Sequence, residues 1–468
     1  MSHKILSSLI LVFLLAACAP AVQGPIPTTS AVAPGEISEF IPTVSVPPAT
    51  AASIPDSTAT TPVASPASAN SLVVAFVKDG NIHLWEEVTQ QSRTLLRAGD
   101  VTSVMMSDDG QVIAFLRRAL VEQPELVEYV SLWAVDSTGQ NPRELVSAES
   151  LRQRLQPAAS DSAGFAQVSW IPRTHRLVYN GSKHYLPGQG FTHSTDLYLV
   201  DADTGSDTVL ATAVMPDTAF LNAWRFVISP DGQQIALISG TVLSFVNADG
   251  SNWRQAVLAY PQVGAGDVIL LPSGVWTQDS RAFLFTGPLP SESIFILNYT
   301  IWRVPVDGSP AQSLATLTDS HSNSVTFSPD GKYMAFLQDM NGDGTIQADD
   351  YRILPLAVEV GPFTSQNSLE LFYANLHWSP GSLAFVIRDQ ALFQLCPGAT
   401  QASEVCGESI HLGKSNIITS IQWVDSKRFL FTGIEPATLS LGSLGGTMTT
   451  IVAWNDSEWS GWSAAILP

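Results

Sequence analysis

The sequence is short of basic residues. Its 468 residues include 22 Lys and Arg against 42 Asp and Glu, a formal net charge of −20. Binding to a nucleic-acid backbone requires clustered cations, and the sequence contains no such cluster. Nucleic acid is therefore not an expected partner. The acidic balance itself favours solubility and says little about the fold.

Signatures of catalysis are also missing. The Gly-x-Ser-x-Gly pattern of a serine-hydrolase nucleophile elbow does not occur, and its nearest approach has Leu441 in place of the first glycine. The Ser-x-Asp-x-Gly-x-Thr-Trp box typical of sialidases is absent too. These absences favour a protein that binds over one that catalyses. The alternative is an enzyme, or an enzyme subunit, that processes a polysaccharide or a peptide.

Cysteine is rare, and the first of three cysteines ends a targeting segment. Residues 1–18 have Lys4 near the start, an apolar run over residues 5–15 that is short for a membrane span, and then Leu-Ala-Ala-Cys. This ending resembles a bacterial lipobox, which implies that Cys18 is lipidated and becomes the mature N-terminus. The alternative is an ordinary secretory peptide. The lipobox predicts an extracytoplasmic protein anchored to the cell membrane, or to the outer membrane of a diderm cell.

Residues 19–70 have the composition of a linker. They contain no Lys or Arg and are rich in Pro, Ala, Ser, Thr and Val. Such a segment buries too little apolar surface to offset its chain entropy, so we expect it to be disordered. Pro-rich chain extends by about 3.1 Å per residue, which gives this stalk a reach on the order of 100 Å or more.

The other two cysteines, Cys396 and Cys406, are close in the sequence. In an exported chain they are expected to form a disulfide across one hairpin. Two free thiols are the alternative, and a zinc site is disfavoured because no pair of histidines lies nearby.

The most regular feature is a repeated turn followed by an apolar strand. Residues 328–331, Ser-Pro-Asp-Gly, read as a tight turn: Pro329 fixes φ, Asp330 can bond its own backbone and Gly331 accepts a positive φ. The same turn recurs near residue 228, and looser copies lie near residues 106, 170, 276, 378 and 423. With residue 327, these anchors are spaced by about 45 to 64 residues, roughly 53 on average, with strands inside each unit.

A period of this size is typical of propeller blades. The repeats resemble the WD40-like PD40 repeats of TolB, and also the N-terminal propellers of prolyl oligopeptidases, over most of residues 71–468. The expected fold is all-β: a seven- or eight-bladed β-propeller of four-stranded antiparallel blades over residues 71–468, preceded by the signal peptide (1–18) and the disordered stalk (19–70). The TolB-like resemblance implies protein–protein docking.

The order of strands predicts how the ring closes and where its loops lie. Residues 72–76, 81–85 and 92–96 read as the second, third and fourth strands of a blade, so Trp462–Leu467 is expected to supply the first. The turns between first and second strands share one face with those between third and fourth strands; we call it the turn face. The opposite, long-loop face is expected to carry long loops at residues 118–129, 147–164, 182–194, 259–271, 288–298 and 339–350. Binding sites favour such loops.

One of these loops matches a calcium-binding pattern. Residues 339–350 follow the EF-hand loop at positions 1, 3, 5, 6 and 8. Six residues are candidate ligands of a structural Ca²⁺: Asp339, Asn341, Asp343, Thr345 through its carbonyl, Gln347 through water, and Asp350. Position 12 is Asp instead of the more usual Glu, which favours weak affinity, on the order of 0.1–1 mM. The alternative is a solvated Asp/Gly hairpin.

Other candidate residues carry weaker signals. His184, Tyr185, Phe191 and His193 fall in one long loop and could form a ligand-binding corner, although exposed loop histidines are more common. The tryptophans at equivalent blade positions are better explained by packing between blades than by carbohydrate binding; they are Trp170, Trp276, Trp378 and Trp423. An enzyme would need several carboxylates to converge on the long-loop face, for which the candidates are Glu122, Glu125, Glu128 and Asp350.

The sequence thus predicts a lipid-anchored extracytoplasmic β-propeller that acts as a non-catalytic protein-binding scaffold or receptor. Its expected partner is another protein of the cell envelope, and its contact with the membrane is through the lipid alone. A receptor for a small ligand in the central channel is a third possibility, besides the enzyme.

Overall fold

The structure is a computed structural model that describes residues 71–123, 125–158, 161–184, 191–212, 224–265, 268–269, 271–290, 297–320, 325–337, 351–356, 376–388, 391–396, 405–406, 409–412, 417–434, 436–454 and 461–467. Residues 66–468 form one compact unit. Its described part is built from small antiparallel sheets that follow one another along the chain. This is the all-β propeller that the repeats predict.

The first four blades are each built around four strands. Blade 1 has β1 (Ser71–Lys78), β2 (Asn81–Glu86) and β3 (Gln91–Leu96) and takes its inner strand from the other end of the chain. Blade 2 has β4 (Val101–Met106), β5 (Val112–Gln123), β6 (Glu125–Asp136) and β7 (Arg143–Val146), and the helix α1 (Ala148–Leu155) follows. Blade 3 has β8 (Ser162–Trp170), β9 (Arg176–His184), β11 (Leu197–Asp201) and β12 (Asp207–Ala211), with β10 (Phe191–His193) added to β9. Blade 4 has β13 (Arg225–Ile228), β14 (Gln234–Ile238), β15 (Val242–Asn247) and β16 (Arg254–Ala259).

Four more blades complete the unit. A small hairpin, β17 (Gly264–Ala265) and β18 (Val268–Ile269), precedes blade 5. Blade 5 has β19 (Gly274–Trp276), β20 (Ala282–Pro288), β21 (Leu297–Pro305) and β22 (Gln312–Ser320). Blade 6 has three described strands, β23 (Thr326–Phe327), β24 (Tyr333–Leu337) and β25 (Tyr351–Pro355). Blade 7 has β26 (Leu376–Trp378), β27 (Ala384–Arg388), β28 (Ala391–Gln394) and β29 (Ile410–His411), and blade 8 has β30 (Ile417–Trp423), β31 (Arg428–Ile434), β32 (Thr438–Ser443) and β33 (Met448–Ala453).

The last strand, β34 (Trp462–Leu467), closes the ring by pairing with β1 from Ser71↔Leu467 to Phe76↔Trp462. Every pair of neighbouring blades shares one buried apolar cluster, and a cluster of Leu72 and Trp85 with Leu430 and Leu439 joins blade 8 to blade 1. The expected closure is confirmed. The described sheets make eight blades, which decides between the seven and eight that the period allowed.

A short polar network reinforces the closure. Glu87, in the turn after β2, accepts a hydrogen bond from the backbone N–H of Leu72 at 3.0 Å and forms an ion pair with Arg428 of blade 8. The Nε of Arg428 also donates to Asp425 at 2.7 Å. These contacts join blade 8 to both the second strand and the turn of blade 1.

Two connections that we predicted as long loops are largely regular structure. Residues 118–129 are not a loop, because β5 and β6 continue side by side until Gln123 lies opposite Glu125. Residues 147–164 contain α1, which begins after the N-cap Ser147 and ends at Gln156 in a left-handed conformation. Strand order predicted loops at both segments, but pairing and packing against blades 2 and 3 give them regular structure.

Candidate functional site

The turn face is built from self-contained turns. Ser328 Oγ donates to Asp330 Oδ1 at 2.7 Å, and the backbone N–H of Lys332 donates to the same oxygen at 3.1 Å. Equivalent turns place hydrogen bonds on Asp109, Asp231, Asp279 and Asp425. Hydrogen bonds from Thr277 and from the N–H of Arg281 hold the pKa of Asp279 below its usual value. These carboxylates stabilise the turns.

Neighbouring turns are also linked to each other. The N–H of Asp231 donates to Ser280 Oγ at 3.0 Å, and the N–H of Asp330 donates to Ser382 Oγ at 3.1 Å. Gly232 has φ +72°, and a Cβ there would lie 2.9 Å from the carbonyl oxygen of Pro172 in the preceding blade. A side chain at this glycine would therefore be strained by its backbone and would also clash with the turn of the preceding blade.

A histidine joins blades 2 and 3 on the turn face. His175 Nε2 lies 3.0 Å from Asp109 Oδ2 of blade 2, and its Nδ1 lies 2.9 Å from Asp203 Oδ2 in its own blade. Burial disfavours the charged ring, but the two carboxylates outweigh burial and raise the pKa of His175 above its usual value. A ring with an acceptor at each nitrogen donates from both only when it is protonated. This cluster lines a cavity of about 560 Å³ together with Asp108 and Arg173.

The long-loop face carries a projecting two-stranded ribbon, residues 118–123 of β5 and 125–130 of β6. On the other side of β5, pairing with β4 ends at Val101↔Arg117. Residues 118–120 are exposed, and the side chain of Leu120 is 53 % accessible. Arg118 Nη1 lies 3.3 Å from Glu128 Oε1 across the ribbon.

The helix α1 supports the base of this ribbon. Ser147 Oγ accepts a hydrogen bond from the N–H of Ser150 at 3.1 Å, which caps the helix. Leu151 and Leu155 are buried in the cluster between blades 2 and 3, and Arg152 lies 5.0 Å from the ring centre of Tyr129 in β6. The helix therefore holds one strand of the ribbon against blade 3.

A second elaboration of the same face is the corner that contains the predicted histidines. Phe191 lies between His184 and His193, with ring centres 6.0 and 5.4 Å away. His193 Nδ1 lies 2.8 Å from the carbonyl oxygen of Trp224, and burial lowers the pKa of His193, so this ring is neutral at ordinary pH. The structure joins His193 to blade 4, while Tyr185 lies outside the described residues.

One buried amide of blade 3 lacks partners. Asn180, in β9, is fully buried, and neither its Nδ2 nor its Oδ1 has a hydrogen-bond partner among the described residues. Opposite it in β8, Gln167 accepts a hydrogen bond from the N–H of Phe226 at 3.2 Å and donates to its carbonyl at 2.8 Å. An unpaired buried amide costs about 1–3 kcal/mol, so Asn180 marks a polar point inside the blade 3–4 interface.

The predicted site residues fall in different places. Cys18 and the whole calcium-loop set lie outside the described residues; that set is Asp339, Asn341, Asp343, Thr345, Gln347 and Asp350. Cys396 and Cys406 are bonded, with their Cα atoms 4.9 Å apart, in the connection between the third and fourth strands of blade 7. In the described part of the chain, no three His, Cys, Asp or Glu side chains are grouped so that they could hold a metal ion.

The predicted packing role of the tryptophans is confirmed. Trp276 Nε1 donates to the carbonyl of Val227 in blade 4 at 2.8 Å. The ring of Trp423 lies 4.8 Å from that of Phe385 in blade 7. Both indoles therefore contact the preceding blade.

The carboxylates named for an enzyme divide between the ribbon and an undescribed segment. Glu128 pairs with Arg118, Glu122 and Glu125 occupy register positions near the tip of the ribbon, and Asp350 lies outside the described residues. Within the ribbon, the carboxylate of Glu128 is therefore already paired with the guanidinium of Arg118.

Sequence reasoning missed the His175 cluster. His175 is separated from Asp109 by 66 residues and from Asp203 by 28, and no motif spans these distances. The only available signal was the blade period, which places the turns of blades 2 and 3 side by side.

The chain is similar to several solved structures at low identity. No family model matches the chain, and no curated protein matches it. An oligogalacturonate lyase from Vibrio parahaemolyticus is similar over 65% of this chain and 79% of its own, with 13% identity and a TM-score of 0.36. Dipeptidyl peptidase 4 from Porphyromonas gingivalis is similar over 81% of this chain and 57% of its own, with 8% identity and a TM-score of 0.45. A TolB-like protein from Agrobacterium tumefaciens is similar over 56% of this chain and 95% of its own, with 17% identity and a TM-score of 0.25.

No helix in the described ranges is both long and apolar enough to cross a membrane. The main features of the described chain are its propeller fold and the difference between the two faces of the ring.

Proposed function

We propose that this chain is a lipid-anchored, extracytoplasmic scaffold that docks another protein of the cell envelope on its long-loop face. The observation that carries the proposal is the one-sided elaboration of blades 2 and 3. The ribbon and α1 are added to the long-loop face there, whereas the described Asp turns of the opposite face are short and use their carboxylates internally. Binding surfaces are commonly built from such additions to a rigid ring.

The direction of β1 supports this choice of face. As the second strand of blade 1, β1 begins with Ser71 on the turn face and ends with Lys78 on the long-loop face. The described chain therefore begins on the turn face, opposite the face that we propose for docking.

The chemistry of the long-loop face suits docking better than small-molecule catalysis. Leu120 is an exposed apolar side chain beside the Arg118–Glu128 ion pair, and α1 presents the exposed Gln153. Interfaces combine such apolar and polar groups. Of the carboxylates considered for catalysis, Glu128 is already paired with Arg118.

A photocrosslinking experiment tests the proposal in the native envelope. A photoreactive amino acid replaces Gln153 on the long-loop face in the full chain, and a matched chain carries it at Val88, which is 80% exposed in a turn of blade 1 on the turn face. We expect one abundant protein adduct from position 153 and much less from position 88. Equal labelling from both positions, or none from position 153 in a well-folded chain, would contradict docking on this face.

A further inference from the structure

An arginine on the long-loop face has no acidic partner among the described residues. Arg225 is the first residue of β13, the inner strand of blade 4, and lies at its long-loop end. Its guanidinium donates a hydrogen bond to the carbonyl oxygen of Pro272, in the connection that leads into blade 5. Its Nε is buried and has no hydrogen-bond partner among the described residues. The cation is therefore held between blades 4 and 5 by a neutral acceptor alone.

Other partly buried arginines of this chain are paired with acids. Arg143 Nη1 lies 2.9 Å from Asp136 Oδ1, and Arg154 Nη2 lies 2.6 Å from Asp207 Oδ2. Burial alone would lower the pKa of Arg154, but its hydrogen bond to Asp207 outweighs burial and raises that pKa above its usual value. At Arg225 burial is the main influence and lowers the pKa. Because the chain has 42 acidic residues against 22 Lys and Arg, the missing acid is not explained by composition.

The tyrosine near Arg225 does not neutralise it. The hydroxyl of Tyr260 donates to the carbonyl oxygens of Ser239 and Val242, the second at 3.2 Å. Burial raises the pKa of Tyr260, so this hydroxyl stays protonated and carries no negative charge. An arginine side chain remains charged in proteins. The positive charge of Arg225 is therefore left for a group from outside the described chain.

The position of Arg225 is open to such a group. Arg225 is only partly buried. Its own blade turns back beside it through residues 239–241, between β14 and β15, and Thr241 in this turn is exposed. The ribbon and α1 are on the same face of the ring. A carboxylate suits a guanidinium best, because it can accept two parallel N–H bonds from it.

We propose that Arg225 anchors an Asp or Glu side chain of the protein that docks on the long-loop face. The inference rests on the proposed function and names the chemistry of the partner. Arginine is one of the side chains that most often dominate binding energy at protein interfaces. The chain has a net charge of −20, so an acidic group of the partner is repelled at most other positions. Pairing at Arg225 therefore also fixes where the partner docks.

Thermal unfolding separates an anchor from a structural arginine. Replacing an unpaired, partly buried cation by an apolar side chain removes its desolvation cost, and this gain offsets the lost hydrogen bond to Pro272. We therefore expect Arg225→Met to leave the apparent melting temperature of the purified full chain unchanged or to raise it. Arg143→Met is the matched comparison: it leaves Asp136 without its cation and should lower the melting temperature.

Photocrosslinking in the native envelope measures the binding role. A photoreactive amino acid replaces Thr241 in the full chain, and the labelled segment of the partner is identified by mass spectrometry. We expect the label beside an Asp or Glu of the partner, and Arg225→Met should lower the adduct about tenfold or more. Arg225→Lys keeps the charge but not the planar fork, so its loss should be intermediate. Arg254→Met is the control, because Arg254 lies at the turn-face end of the same blade, over the ring of Phe245 at 5.3 Å, and should leave the adduct unchanged.

Three outcomes would overturn this inference while leaving docking in place. The first is an adduct from position 241 or 153 that does not respond to Arg225→Met. The second is a labelled segment of the partner that contains no Asp or Glu. The third is a melting temperature that falls as far with Arg225→Met as with Arg143→Met, which would show that an acid of this chain already neutralises Arg225. If neither position gives an adduct in the well-folded parent, the proposed docking fails and this inference fails with it.

Discussion

His175 predicts a pH-dependent contribution to stability with a definite sign. Its ring bridges Asp109 of blade 2 and Asp203 of blade 3, and its pKa is raised in the folded protein. The unfolded chain binds this proton less tightly, with a pKa near 6.5. The contribution is therefore fully present below about pH 6.5 and is lost as the pH rises through the higher pKa of the folded state.

The size of the effect follows from the exposure of the partners. The side chains of Asp109 and Asp203 are 43% and 57% accessible, so each pair is expected to contribute no more than about 0.2–1 kcal/mol. Their sum is on the order of 1 kcal/mol, or about 1–2 °C in a domain of this size. His175→Gln should lower the apparent melting temperature by that amount at pH 5.5 and change it little at pH 9.

The assay is thermal unfolding of parent and variant between pH 5 and 9, with His83 as a control of opposite sign. His83 stacks on Phe76 with ring centres 5.3 Å apart, and burial lowers its pKa. Protonation of His83 in acid therefore destabilises the folded parent protein. The difference in melting temperature between the parent and His83→Gln should shrink as the pH falls. The reasoning about His175 is refuted if its variant shows the same melting difference at pH 5.5 and pH 9, or a difference that grows with pH.

Three further predictions concern the closure of the ring, the disulfide and the calcium loop. Glu87→Ala should lower the apparent melting temperature by several degrees, because it removes the partner of Arg428 Nη1 and of the N–H of Leu72. The neighbouring Glu86→Ala removes only an exposed 3.6 Å pair and should change the melting temperature little. Replacing both Cys396 and Cys406 by Ser should remove about 2.5–3 kcal/mol and abolish the effect of a reductant on melting; a parent insensitive to reductant would contradict this. Calcium at about 1 mM should raise the melting temperature relative to EGTA, and Asp343→Ala should abolish this shift. If the melting temperature of the parent protein is the same in calcium and in EGTA, a stabilising calcium site is excluded.

The repeated turn predicted the fold because its chemistry is local. Pro329, Asp330 and Gly331 each favour the turn for a reason contained within four residues, and the structure places Gly331 at φ +68° with Ser328 and Lys332 bonded to Asp330. The closing strand was predictable for the same reason, since β1 to β3 lacked an inner neighbour. Period and strand order together determine a ring, without any knowledge of its contacts.

Contacts between distant parts of the chain were not predictable in this way. Strand order placed a loop over residues 118–129, although this segment has few turn residues besides Pro124. Its regularity depends on Tyr129, which pairs with Ala163 of blade 3 and contacts Arg152 of α1. Tertiary packing of this kind overrides local propensity.

The two faces of the blade 2–3 interface are expected to act independently. Coupling between distant sites requires an element with two arrangements that both sites bias, and between the His175 cluster and the ribbon lies a single packed cluster that includes Leu132, Leu151 and Tyr179, all fully buried. A loss on the order of 1 kcal/mol at the exposed cluster leaves this packing in place. His175→Gln should therefore change the pH dependence of melting without changing the photocrosslinking yield at position 153. A yield that falls with His175→Gln at pH 5.5 but not at pH 9 would instead show that the interface has a second arrangement.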